Sequence, residues 1–245
     1  MRKRGLIIVT STASLPSGAK TGFWLPEAAY PWRALATEGW DFEFLSTADG
    51  EPPIAGTDPS DPPQRWFLRD PEVRGKLAAT RTAAAYDPAD FSIVFVAGGP
   101  GAMWDFPRDE ALAAFLAACL EAKTVVTAVC HGPAALIGVR AADGAPAVRG
   151  LRLTGFSNRE EEAIGMADQV PFRLADALSE LGADYQAGEN FRSHVVQDGL
   201  LVTGQNPASA ARATELGMRL ASGAALPANW LRRPHRGRSG LDPAR

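Results

Sequence analysis

The sequence predicts an α/β fold built on a mostly parallel central sheet. Three observations carry that reading. FSIVFVA at 91–97 and TVVTAV at 124–129 are short runs of apolar and β-branched residues, the composition of strands buried on both faces. Helical patterns alternate with such runs along the chain, which implies parallel strands with helices on both sides of the sheet. Each of the two runs ends in a turn, one at Gly98-Gly99-Pro100-Gly101 and the other at Cys130-His131-Gly132-Pro133. With 245 residues, 46% of them hydrophobic, the chain is long enough to bury one large core, and a single domain over 1–225 is expected.

Taken in order, GLIIVT (5–10) reads as a strand, 26–39 as a helix stopping at Gly39, and WDFEFLS (40–46) as a second strand. Pro52, Pro53, Pro59, Pro62 and Pro63 make 49–63 a loop. A short amphipathic helix is expected from Pro71 to Ala84. After the strand at 91–97, residues 107–123 carry acids in the first turn and Lys123 at the end, as a helix macrodipole favours. TVVTAV is the next buried strand. A hairpin across RGLRLTG (149–155), a helix near 168–181, short strands at 184–187 and 193–203, and a closing helix over 207–222 complete the chain. No internal repeat is visible.

Charge divides unevenly. Residues 226–245 hold Arg232, Arg233, Arg236, Arg238 and Arg245 against Asp242, a net +4, so a total of −3 leaves −7 for the body. Pro227, Pro234, Gly237, Gly240 and Pro243 mark this stretch as a solvated basic tail, and nucleic-acid binding is not expected of it. No apolar run approaches the roughly 18 residues of a membrane helix. Arg2-Lys3-Arg4 leads directly into a strand-like segment rather than a signal-peptide core, so a cytoplasmic location away from membranes is expected. Cys119 and Cys130 form neither a disulfide framework nor a paired-cysteine zinc spacing, and no metal or other cofactor is expected.

Cys130 stands where a buried strand hands over to a helix start. In open parallel sheets ligands bind beyond the carboxyl ends of the strands. A side chain on a tight strand-to-helix turn points into that crevice, and the positive end of a following helix favours thiolate over thiol. Cys130 is therefore the candidate nucleophile, with a lowered pKa as the expectation. The amides of Gly99 and His131 are the candidate oxyanion donors, since glycine permits close backbone approach. Cys119 shares a helical face with Leu112, Phe115 and Leu116 and reads as core.

The segments GAKTGFWLPEAAYPW (18–32), VAGGPGAMWDFP (96–107), AVCHGPAAL (128–136), LTGFSNREEEAIG (153–165) and LVTGQNPASA (201–210) together resemble the ThiJ/PfpI superfamily. Within it they resemble the heat-shock-protein-31-like glyoxalase III group. The resemblance implies a flavodoxin-like three-layer sandwich related to class I glutamine amidotransferases, with a nucleophile elbow at Cys130. It also implies catalytic roles for Cys130, His131, Glu27 and Glu161, although Glu160 and Glu162 are equally acidic neighbours. The implied activity converts a small 2-oxoaldehyde to a 2-hydroxy acid without glutathione, metal or nucleotide, in a homodimer. Holdase chaperone, protein deglycase and cysteine hydrolase are the alternatives. Pro100 stands where the group has histidine and Pro26 where it commonly has an acid, departures that bear on substrate preference. His194 is followed by Val195 and Val196 rather than by an acid two residues on, which ranks a glutaminase low.

Overall fold

The structure, a computed structural model, describes residues 3–224. The basic tail expected at 226–245 lies outside the described residues. In chain order the elements are β1 (Arg4–Val9), β2 (Phe23–Trp24), α1 (Pro26–Thr37), β3 (Asp41–Ser46), β4 (Ile54–Ala55), α2 (Pro62–Arg69) and α3 (Pro71–Ala78). Then come β5 (Ile93–Val96), α4 (Ala102–Asp105), α5 (Glu110–Glu121), β6 (Val125–Val129), β7 (Arg152–Leu153) and α6 (Asn158–Ala163). The last are α7 (Leu174–Glu180), β8 (Asp184–Tyr185), β9 (Val195–Asp198), β10 (Leu201–Gly204) and α8 (Ala210–Ser222).

Six strands form the main sheet in the order β3-β1-β5-β6-β10-β9, all parallel except for the antiparallel β9–β10 pair. Because side chains alternate along a strand, β1 sends Leu6 and Ile8 to one face and Ile7 and Val9 to the other. The first face packs Val94, Val96, Val126 and Ala128 under Leu112, Leu116 and Cys119 of α5. The second packs Phe44, Ile93 and Phe95 under Ala28, Trp32 and Leu35 of α1 and Met218 of α8. This is an α/β flavodoxin-like sandwich of three layers, and burying each large apolar side chain contributes about 2 kcal/mol.

Several local expectations need correction. The proline-rich stretch after Asp49 contains β4, which pairs with β2, and it ends in α2 rather than remaining loop. Pro62 and Pro63 start that helix, where a missing N–H costs nothing. The helix expected from Pro71 to Ala84 stops at Ala78, and the one expected at 107–123 starts at Glu110, where Asp109 Oδ1 accepts the Leu112 amide at 2.9 Å. The hairpin expected at 149–155 does not form. Instead β7 pairs in parallel with β8, Arg152 opposite Asp184, so a non-local contact overrides the local turn signal. Helix α6 went unread because its acids resemble a solvated charge run, and α7 is shorter than the helix expected at 168–181.

Candidate active site

The strand order reverses between β1 and β5, and the carboxyl ends of β5 and β6 lie side by side at that edge. Cys130 follows β6 with φ of 60°, in the left-handed region that a side chain rarely adopts. Two backbone hydrogen bonds hold it there: its N–H donates to Gly204 O at 2.9 Å and its carbonyl accepts from the Phe156 amide at 2.8 Å. The neighbouring turn closes tightly on it. A Cβ at Gly98 would lie 2.5 Å from His131 N and 2.7 Å from Val129 O, so only glycine fits.

His131 is buried, its ring tilted against Phe156 with centroids 4.6 Å apart. Nδ1 lies 3.4 Å from Cys130 Sγ, and Nε2 lies 3.0 Å from Glu161 Oε2. A carboxylate only accepts, so Nε2 donates to it and Nδ1 keeps its lone pair toward the sulfur. Glu161 reaches this position because Ser157 caps α6 with a capping box, its hydroxyl accepting the Glu160 amide while Glu160 Oε2 accepts from the Ser157 amide.

The three consecutive acids have three different surroundings. Glu160 is wholly buried and bonded to neutral donors, Glu161 meets the imidazole, and Glu162 is paired with Arg173 at 2.6 Å near the surface. Glu27 enters from α1, 2% exposed, and its Oε2 accepts the Gly98 amide at 2.6 Å while its buried Oε1 has no hydrogen-bond partner among the described residues. Burial pushes its pKa up to about 8, against the opposing effects of the Gly98 amide and the Cys130 side chain.

The expected lowering of the thiol pKa is not what the surroundings produce. Burial first, then the charges of Glu27, Glu160 and Glu161, push Cys130 well above the ordinary thiol range, and only the His131 amide opposes them. The helix expected after it is a 3₁₀ turn, Gly132–Leu136, too short to develop a macrodipole. Cys119 lies in the core, its thiol raised to about 12 by burial. His194 is half-buried and its pKa is lowered by burial. Gly99 has φ of 111°, and its amide makes no hydrogen bond to the described residues. Sequence reading named Glu160 only as an acidic neighbour of Glu161 and missed Ser157, Phe156 and Gly204. The pairing of Ser157 with Glu160 was signalled by the Ser-x-x-Glu spacing of a capping box, whereas nothing local signals Phe156 and Gly204.

Among the described residues no group of three or more His, Cys, Asp or Glu is placed to hold a metal ion, and no helix is long and apolar enough to cross a membrane. A flavodoxin-like sheet with a left-handed cysteine between β6 and a short turn, backed by histidine and glutamate, defines a protein of the cysteine-elbow α/β class. More particularly, the chain belongs to the DJ-1/PfpI family, whose sequence pattern matches residues 19–216.

It is 30% identical over 225 residues to the glutathione-independent glyoxalase HSP31 of Saccharomyces cerevisiae, covering 85% of this chain and 93% of that one. Glyoxalase 3 of Candida albicans is 28% identical over 212 residues, covering 81% and 89%. Among solved structures, the 24 kDa rapid encystment protein of Francisella tularensis superposes with a TM-score of 0.86 at 32% identity, covering 89% of this chain and 99% of its own. Glyoxalase III from Candida albicans superposes with a TM-score of 0.80 at 26% identity, covering 88% and 96%.

Proposed function

We propose that this protein is a glutathione-independent glyoxalase that converts methylglyoxal or a related 2-oxoaldehyde to a 2-hydroxy acid. The observation that carries the reading is the convergence on one sulfur of a neutral-range carboxyl, Glu27, and a carboxylate-backed imidazole, His131. His131 Nδ1 takes the thiol proton as sulfur adds to the aldehyde carbon, giving a hemithioacetal. The amides of Gly99 and His131 receive the developing oxyanion. Glu27 then moves the proton from the former aldehyde carbon to the adjacent carbonyl carbon through an enediolate, which leaves a thioester on Cys130. Water cleaves the thioester, releasing the hydroxy acid and returning the thiol. The sum is one 2-oxoaldehyde and one water to one hydroxy acid, with no net redox change.

A carboxyl that titrates near 8 suits this task, because it both gives and takes a proton near neutral pH. In the direction of hydroxy acid to oxoaldehyde the same steps make the protein a hydro-lyase of the D-lactate dehydratase type. A homodimer belongs to this reading through the sequence resemblance. Among the described residues nothing favours a holdase. Among the described residues Trp66 and Leu68 are the exposed large apolar side chains, and the Arg33 guanidinium lies 4.7 Å over the Trp66 ring. The test is turnover of methylglyoxal by purified protein, without glutathione and after chelator treatment, in heavy water. Lactate carrying deuterium on the hydroxyl-bearing carbon is expected. A glutathione requirement, or full activity in Cys130→Ser, overturns the proposal.

A further inference from the structure

Glu160 is an unusual group to bury. Its carboxyl is 0% exposed, and among the described residues no cation is bonded to it. Four neutral donors surround it instead. Oε2 accepts from the Ser157 amide at 3.1 Å and the Ser157 hydroxyl at 2.9 Å, while Oε1 accepts from the Phe191 amide at 2.7 Å and Asn206 Nδ2 at 2.8 Å. Only a carboxylate accepts at both oxygens, since the glutamine isostere would turn an NH₂ group toward two of the donors. The bonds join three separate segments. Ser157 starts α6, Phe191 lies in the loop before β9, and Asn206 follows β10 and also donates to Arg192 O at 2.8 Å.

Each joined segment touches the site. Glu161, the next residue on α6, is the partner of His131. Phe191 packs against the cluster containing Cys130 and Phe156, and its φ of 56° is a strained conformation that the bond to Glu160 helps to hold. We propose that Glu160 is a positioning residue of the Cys130 site, clamping Glu161 against His131 and holding Phe191 against the cysteine's cluster. This rests on the reading of Cys130 as the nucleophile. The clamp has an electrostatic consequence. The charged and titratable groups facing the sulfur are Glu27 from α1, His131 from its own turn, and Glu160 and Glu161 from α6, so Glu160 contributes to keeping the thiol protonated.

The test compares Glu160→Gln and Ser157→Ala with the unaltered protein in three measurements. These are the iodoacetamide alkylation rate of Cys130 against pH without substrate, kcat and KM for methylglyoxal, and the thermal midpoint. In Glu160→Gln the alkylation inflection is expected to move to lower pH, and kcat to fall by roughly a hundredfold, the scale of a misplacement of about 1 Å. KM should stay within about threefold. Ser157→Ala keeps the charge and removes one donor, so its inflection should stay in place while kcat falls by a smaller factor. An unmoved inflection in folded Glu160→Gln, or a kcat that declines only in proportion to folded protein, overturns the proposal. Should Glu160→Gln not fold, unchanged kcat in Ser157→Ala overturns it. If the unaltered protein does not turn over methylglyoxal, the glyoxalase reading falls, and the alkylation profiles alone decide the role of Glu160.

Discussion

Glu27 Oε2 accepts the Gly98 amide at 2.6 Å, which fastens an acid carried by α1 to the turn that ends β5. Among the described residues the bond leaves Oε1 buried and without a partner beside the sulfur's turn, and it fixes a carboxyl whose pKa is pushed to about 8 by burial.

Replacing this acid separates chemistry from folding. Glu27→Gln keeps the volume but cannot shuttle a proton, so kcat should fall by about 10²- to 10⁴-fold in a steady-state assay. Stability should respond with a definite sign. The folded pKa, about 8, lies above the unfolded value of 4.5, so the folded state holds more protons between those limits. The unaltered protein therefore loses up to about 1.4 kcal/mol per pH unit as pH rises through that window. Urea titrations of Glu27→Gln should lack this slope, and equal slopes in the two proteins would refute the assignment.

The alkylation rate of Cys130 should rise with an inflection above the ~8.5 of a free thiol, because burial and three carboxyl groups oppose the thiolate. Cys119 should react only after denaturation. Mass-resolved labelling against pH checks both, and an inflection below that of free cysteine would show that the carboxyl groups do not govern the sulfur.

Glu161→Ala removes the acceptor of His131 Nε2 and leaves a buried donor without a partner. Turnover should fall by roughly tenfold to a hundredfold. Glu161→Gln retains an oxygen that can accept from Nε2 and should lose less. If the two variants are equally active, His131 does not need its partner for turnover.

Gly98→Ala would place a methyl 2.5 Å from His131 N and should destabilise the fold by more than about 1 kcal/mol. Gly75→Ala meets nothing within 4 Å in the interior of α3 and should stabilise it by about 0.5–1 kcal/mol. Chemical denaturation of the two variants reads out the contrast.

What the sequence by itself determined follows from local regularities. The β-branched runs around Val94 and Val126 specify buried strands wherever they sit, and the alternation with helices specifies a parallel sheet. Cys130 was legible because a strand end is a local feature, whereas Glu27 was reached only through the family resemblance. Only the tertiary structure decided which of Glu160, Glu161 and Glu162 meets His131, since the cap at Ser157 and the loop at Phe191 set the rotation of α6. Only it decided that β7 pairs with β8 rather than folding back on itself. The thiol pKa was likewise beyond the sequence: its sign depends on burial and on carboxyl groups brought together from α1 and α6, and both are properties of distances through space.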